Sequence, residues 1–141
     1  MTKTIIGREF PKKVTPLIKA AKNTIDIIVY DWRWYPNEIG SEIQLFNYEI
    51  VRAIQRGVKV KVLLNNNIIE ATLKKAGAEI KQLKSEKTVH SKMMIIDDAL
   101  AILGSHNYTK NAFELNHETS IIIDDIEAVE NFKKYFTDLF R

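Results

Sequence analysis

The side chains best suited to chemistry lie in two short polar groups near residues 90 and 105. His90 and Lys92 stand two positions apart at the start of an apolar run, and a strand would project both from one face. The second group, residues 104–107, reads Gly-Ser-His-Asn and follows another apolar run. A phosphate site requires a base or nucleophile, a fixed cation and hydrogen-bond donors, so the two groups together predict such a site.

The sequence between the two groups predicts the hairpin that would bring them together. Asp97 and Asp98 separate the apolar runs and favour a two-residue turn. In that register the numbers of paired residues sum to 195, which places Ser105 opposite His90. Asp-Asp is a weaker turn signal than Asp-Gly, so a slip by one residue stays open. In either register the two polar groups meet at one end of the hairpin.

Taken singly, each of these residues has an ordinary structural explanation. A histidine in a strand is usually a satisfied polar residue, a nearby lysine usually belongs to a solvated face, and Gly-Ser is usually a turn. The combined spacing is far less common. Six residue types at fixed positions would arise by chance on the order of once in several hundred thousand sequences, taking ~5% usage per type.

This spacing resembles the signature of the phospholipase D superfamily: His-x-Lys, four residues, Asp, six residues, Gly-Ser, one residue, Asn. The places of the signature are filled by His90, Lys92, Asp97, Gly104, Ser105 and Asn107. The chain is also similar to the superfamily in the elements before the motif, which are a strand at 25–30, a helix ending at Arg56-Gly57 and a strand at 58–64. The resemblance therefore covers most of the chain.

The resemblance implies a mechanism for phosphodiester hydrolysis. One His90 would attack phosphorus and form a phosphohistidine, while a second His90 protonates the departing oxygen and later activates water. Lys92 and Asn107 would hold the nonbridging oxygens, with Ser105 adding a hydrogen bond. Glu118 lies where family members commonly place a carboxylate that orients the catalytic histidine.

The resemblance also implies a homodimer. Family enzymes assemble one active site from two motifs, and this sequence contains one, so two copies would have to meet across a two-fold axis. Asp97 belongs to the signature and is kept among the catalytic candidates. Its place at the predicted turn favours a role in holding the hairpin over contact with substrate.

No cofactor and no metal are expected, because enzymes of this family act without a metal. The histidines and Glu118 could be imagined as ligands, but their spacing fits no usual zinc pattern. Lys92 would also repel a cation placed beside His90. His106 and His117 are expected to flank the site.

The charge distribution makes nucleic acid the leading substrate. Residues 1–96 carry 17 Lys and Arg against 9 Asp and Glu, whereas residues 97–141 carry 4 against 9. A basic portion of this size attracts a polyanion, although a solvated lysine-bearing surface explains the charge alone equally well. The second hypothesis is a cardiolipin-type phospholipid hydrolase, disfavoured because no membrane anchor is visible. The third is a nucleic-acid-binding module without activity.

An aromatic loop offers a possible contact to substrate. Trp32, Arg33 and Trp34 follow the strand that in this family ends near the active site. Rings with a neighbouring cation suit stacking on the bases of a single strand. A dimer contact or a cap on the core is an equal alternative, since aromatic residues and Arg are also enriched at interfaces.

The elements that must position these residues predict an α/β fold. Strands covered by helices are expected in a single domain of residues 1–141. The resemblance implies that the sheet is a phospholipase D-like mixed β-sheet flanked by helices, and that the domain dimerises. A Thr15-Pro16 start predicts the first helix, and a capping box at Ser41 and Gln44 predicts the second. The predicted helices are 15–22, 41–57, 68–76 and 126–140, and the predicted strands are 24–30, 58–64, 78–83, 89–96, 99–103 and 120–123.

Composition narrows the class of protein further. The chain has 141 residues, of which 45% are hydrophobic, and no cysteine, which excludes a disulfide framework, a thiol nucleophile and a Cys-ligated metal. The N-terminal stretch lacks the apolar core of a signal peptide, and no segment approaches the ~20 apolar residues of a membrane span. The expected location is cytoplasmic.

Overall fold

The computed structural model describes residues 1–65, 69–82 and 88–141. Its strands and helices alternate along most of the chain. The strands are β1 Thr2–Ile6, β2 Thr24–Val29, β3 Lys59–Leu64, β4 Glu79–Gln82, β5 Met93–Ile96, β6 Leu100–Gly104 and β7 Thr119–Ile123, and the helices are α1 Glu9–Ala20, α2 Glu42–Gln55, α3 Glu70–Ala76, α4 Lys110–Glu114 and α5 Ile126–Phe140.

The strands form one mixed seven-stranded sheet in the order β1-β7-β6-β5-β2-β3-β4. The pairs β2–β3 and β3–β4 are parallel, and the other neighbours are antiparallel. The sheet separates two apolar clusters, because side chains alternate between its faces. In β2, Ile27 joins the cluster under α1 and α2, whereas Ile28 joins the cluster under α5. Helices therefore cover both faces, as predicted.

The first helix begins earlier than predicted. Phe10, Val14 and Ile18 recur at helical spacing and are all buried, so α1 starts at Glu9 and continues through Pro16. A proline inside a helix removes one backbone hydrogen bond. Burial of the apolar side chains before it outweighs that loss, each being worth roughly 1.5–3 kcal/mol. Strand β1 was also not anticipated.

The predicted capping box at the start of α2 forms only in part. Ser41 Oγ accepts a hydrogen bond of 3.3 Å from the backbone N–H of Gln44, as a capping residue should. The Gln44 side chain does not return the bond to Ser41. Its Oε1 accepts instead from the backbone N–H of Tyr35 at 2.8 Å, so Gln44 holds the loop before the helix.

The other predicted elements agree with the structure apart from their ends. Helix α5 covers the predicted residues, but Ile126, expected on its buried face, is 76% exposed. Ile68 and Leu83, expected at the ends of a helix and an edge strand, lie outside the described residues. In the part of the chain that the structure describes, no helix is long and apolar enough to span a membrane.

The hairpin of β5 and β6 is one residue out of the predicted register. Ile96 pairs with Leu100, so the numbers of paired residues sum to 196 instead of 195. The turn therefore takes three residues, 97–99, and its two aspartates adopt φ of 54° and 53°. The backbone N–H of Gly104 donates to Lys92 O at 3.3 Å, which brings the two polar groups together as expected.

Candidate active site

His90 and Lys92 lie side by side in an extended segment just before β5, which begins at Met93 and not at residue 89 as predicted. Lys92 Nζ is 3.3 Å from His90 Nδ1 and donates to His90 O at 2.9 Å. The imidazole is exposed, and the ammonium is partly buried. The arrangement sets a fixed cation beside an accessible histidine ring.

The environment of Lys92 makes its charge easier to remove than in water. Burial lowers the pKa of the Lys92 ammonium, and the negative charge of Glu118 opposes part of that shift. An ammonium that has lost part of its hydration binds an anion more strongly, because less water must be displaced. Lys92 is therefore prepared to receive a phosphate oxygen.

Ser105 follows β6 and is hydrogen-bonded to Thr119, the first residue of β7. Its backbone N–H donates to Thr119 O at 2.9 Å, and its hydroxyl oxygen accepts from Thr119 N–H at 3.0 Å. The prediction that Ser105 lies opposite His90 is wrong, because the three-residue turn shifts the register. Ser105 instead lies beside Thr119, the residue that follows Glu118 in the chain.

Asn107 is oriented by the loop after β2. Its Oδ1 accepts from the backbone N–H of Asp31 at 3.1 Å. A backbone N–H can only donate, so this bond identifies the amide oxygen and turns the Nδ2 donors away from the loop. Within the described residues the Nδ2 group has no hydrogen-bond partner, and it can donate to a substrate oxygen.

Tyr30 belongs to the site, although the sequence indicates it only as the end of a strand. Its ring centroid is 5.4 Å from that of His90, and Lys92 Nζ is 5.9 Å from the same ring. Tyr30 is the first residue beyond β2, at the strand end where the site was expected. This position at the end of β2 is the feature of the sequence from which a place in the site could have been predicted.

Glu118 comes near the site without touching the histidine ring. Its carboxylate acts electrostatically on Lys92, and its Oε2 accepts from Asn116 Nδ2 at 3.2 Å. Among the described residues it makes no hydrogen bond to His90. The expected orienting contact is therefore absent from this arrangement of the chain.

Asp97 was kept among the catalytic candidates, and the structure places it at the opposite end of the hairpin. Five residues of extended chain separate it from Lys92, roughly 16 Å. Its carboxylate accepts from the backbone N–H groups of residues 22, 23 and 24, with the shortest bond 2.6 Å. It cannot reach a phosphate held by Lys92, and it joins the hairpin turn to the start of β2.

The aromatic loop is divided between core and surface, which corrects the expectation of a stacking platform. Trp32 is fully buried, and its Nε1 donates to Asn47 Oδ1 at 2.7 Å. Trp34 is half-buried, with its ring 5.5 Å from that of Tyr48. Large aromatic rings stabilise a fold by burying a large apolar area, which favours burial of these rings over exposure to solvent. Arg33 alone stays exposed, paired with the carboxylate of Asp31.

Two other histidines differ from each other. His106, expected to flank the site, is 1% exposed and stacks on Phe10 with 4.5 Å between ring centroids. His117 is exposed, one residue before Glu118. In the described ranges no three His, Asp or Glu side chains are grouped so that they could hold a metal ion.

Comparison with known families gives a match over most of the chain. A model described as "Cardiolipin synthase, PLD-like domain" matches residues 14–140. The mitochondrial cardiolipin hydrolase of Homo sapiens is 30% identical over an alignment of 142 residues. The alignment covers 96% of this chain and 52% of that protein. The chain thus spans about half the length of this relative.

Solved structures share the fold. NucT from Helicobacter pylori and a phospholipase D family member, Nuc, from Salmonella typhimurium each superpose with a TM-score of 0.81 at 22% identity. Each superposition covers 99% of this chain and 94% of the other. The predicted phospholipase D-like architecture is confirmed.

Proposed function

This chain belongs to the phospholipase D superfamily, and from that premise we propose that it is a metal-independent phosphodiesterase that hydrolyses nucleic acid. One observation carries the proposal: Lys92 Nζ lies 3.3 Å from the ring of an exposed His90. Asn107 supplies a donor from the next loop, where its Oδ1 is bound to Asp31, the residue after Tyr30. These groups can bind the two nonbridging oxygens of a phosphodiester and present an imidazole nitrogen to its phosphorus.

The reaction proceeds in two displacements. His90 Nε2 forms a bond to phosphorus, and the bond from phosphorus to the leaving oxygen breaks as that oxygen takes a proton from a second histidine. The second histidine then accepts a proton from water, whose oxygen displaces His90. Lys92 and Asn107 bind the oxygens whose negative charge grows in each transition state.

The two displacements need His90 in two protonation states, and a homodimer supplies one histidine in each state. The ring that protonates the leaving oxygen carries a proton on both nitrogens and gives up the one on Nε2. The attacking ring is neutral, with a bare Nε2 and its proton on Nδ1. That Nδ1–H needs an acceptor, whereas a charged Lys92, 3.3 Å away, can only donate, so Lys92 has to move away from Nδ1 before His90 attacks.

An apolar hollow beside the site supports contact between two copies. It has a volume of about 550 Å³ and lies between the end of the β5–β6 hairpin and α5. Met93, Leu103, Phe132 and Tyr135 line it together with Lys92. Packing a second copy over this surface would bury apolar groups and bring two motifs close together.

Nucleic acid is favoured by the excess of Lys and Arg in residues 1–96, which is 17 against 9 acidic residues. The identity with a cardiolipin hydrolase favours a phospholipid as the second candidate. Both substrates contain the same phosphodiester group, so the catalytic residues do not distinguish them. The distinction has to be made by assay.

The test compares the wild type and His90→Ala on labelled single- and double-stranded DNA, RNA and cardiolipin vesicles, in EDTA at low salt. We expect nucleic-acid cleavage by the wild type and a loss of about 10³-fold or more in the variant, the order of a nucleophile and acid removed together. Matching circular dichroism spectra control for folding. Hydrolysis of cardiolipin without cleavage of nucleic acid would make a phospholipid the substrate. Binding of nucleic acid without any cleavage would support a binding module without activity.

A further inference from the structure

A second hollow, polar and open, has Glu118 among its lining residues. It has a volume of about 610 Å³ and separates the β1–α1 turn from the segment between α4 and β7. Arg8 and His117 are exposed on its lining. Neither residue takes part in the proposed reaction.

The wall that carries Arg8 is joined directly to the active-site residues. The backbone N–H of Gly7 donates to Glu118 O at 2.8 Å, and Gly7 O is 2.8 Å from His106 Nε2. Gly7 adopts φ of 53°, which glycine tolerates without strain. Gly7 is thus bonded both to Glu118 and to His106, the residue before Asn107. Arg8 follows Gly7 directly, so its backbone is held close to these residues.

The guanidinium of Arg8 is oriented but not neutralised. Its Nε donates to the backbone oxygen of Glu114 at 3.1 Å, which leaves both terminal nitrogens as donors. In the described part of the chain Arg8 forms no ion pair. A planar fork with two remaining donors fits two oxygens of one phosphate.

Two carboxylates border the hollow, and both act on other cations. The charge of Glu114 raises the pKa of Lys110, after the larger effect of Glu38 on the same ammonium. The charge of Glu118 acts on Lys92. Within the described residues neither carboxylate forms an ion pair with Arg8, so the terminal nitrogens of Arg8 can bind a ligand, with His117 on the same lining.

We propose that this hollow binds a second phosphate of the substrate, the one next to the scissile phosphodiester in a nucleic-acid strand. The proposal rests on the proposed function and deepens it. Arg8 holds the neighbouring phosphate, and His117 donates a further hydrogen bond. A substrate with several phosphates is then bound more tightly than a substrate with only one.

The test measures kcat/KM on a single-stranded 12-mer and on bis(p-nitrophenyl) phosphate, which has one phosphate. In Arg8→Gln we expect the ratio of the two efficiencies to fall about tenfold, as for loss of one charge-assisted hydrogen-bonded contact. Lys12→Gln removes one positive charge from α1, outside the hollow, and should keep the wild-type ratio. Binding of the 12-mer should show a salt slope smaller by about one in Arg8→Gln.

The outcomes separate this inference from the proposed function. An unchanged ratio and salt slope in Arg8→Gln, with the wild type cleaving DNA, would overturn the second-phosphate site alone. A wild type that neither binds nor cleaves the 12-mer would overturn both. If Arg8→Gln impaired only the hydrolysis of cardiolipin vesicles, the second phosphate would belong to a lipid, and the assignment to nucleic acid would be wrong.

Discussion

His106 Nε2 donates a hydrogen bond of 2.8 Å to the carbonyl oxygen of Gly7 and so joins the loop of Asn107 to the turn before α1. A carbonyl can only accept, so Nε2 carries the proton and Nδ1 accepts from Ser120 Oγ at 2.7 Å. The ring is buried against Phe10. The residue between Ser105 and Asn107 in the motif thus holds both of them in position.

The first prediction concerns pH and His106. Burial lowers the pKa of His106 below its ordinary 6.5, although the bond to Gly7 and the charge of Glu118 oppose the shift. The unfolded chain therefore takes up this proton more readily than the folded chain, and stability falls as pH drops below about 6.5. His106→Gln keeps a donor for Gly7 and should flatten this part of the curve. Urea unfolding between pH 5 and 8 gives the free energy of unfolding of both proteins. Parallel pH curves for the wild type and His106→Gln would contradict the prediction.

The second prediction concerns Gly104. A Cβ at this position would lie 2.4 Å from Ser120 Cα and 2.4 Å from Thr119 O, which are backbone atoms of β7. Gly104→Ala should therefore push β6 away from β7 and destabilise the fold by about 3 kcal/mol. Thermal unfolding measures the loss. Gly40→Ala, where a Cβ meets nothing within 4 Å, is the control.

The third prediction concerns Asp97. Burial alone would raise the pKa of its carboxyl, but hydrogen bonds from three backbone N–H groups hold it below the ordinary 3.8. Asp97→Ala should cost about 2 kcal/mol or more, because those groups lose their acceptor and alanine is strained at φ of 54°. Asp97→Asn keeps an acceptor and tolerates this φ, so it should cost less.

Acid unfolding gives a separate measurement for Asp97. Its carboxyl is more readily ionised in the folded chain, so its stabilising effect is complete above pH 3.8 and is lost as pH falls below that value. Asp97→Asn should lack this loss. Catalysis should survive in Asp97→Asn, and its abolition in a folded variant would restore Asp97 to the active site.

The fourth prediction concerns the dimer. Tyr135 and Leu45 are both 47% exposed, but Tyr135 lines the apolar hollow beside Lys92 and Leu45 lies on α2, which packs on the opposite face of the sheet. Tyr135→Arg should yield monomers and lower activity by about 10²-fold or more, since a shared acid is lost. Leu45→Arg should change neither. Sedimentation velocity checks the mass, and a fully active Tyr135→Arg monomer would exclude a shared site.

The sequence alone was sufficient to identify the family and most of the sheet. The spacing of His90, Lys92 and Asn107 identified the family, a β-branched run identified β2, and an alternating and then apolar run identified β3. Such features are local, because side chains two residues apart share a face of extended chain wherever the strand lies. Helix α5 was predictable for the same reason, from its apolar spacing.

Tertiary structure decided what depends on partners distant in the chain. Trp32 is buried because Asn47 and the core receive it, and no local pattern separates it from a ring that binds substrate. Helix α1 continues through Pro16 because Phe10 and Val14 are buried against the sheet. The register of the β5–β6 hairpin follows from Asp97 bonding to the backbone before β2, a contact spanning more than 70 residues. Hydrogen bonding and burial between distant segments determined these features, and spacing in one sequence carries no information about them.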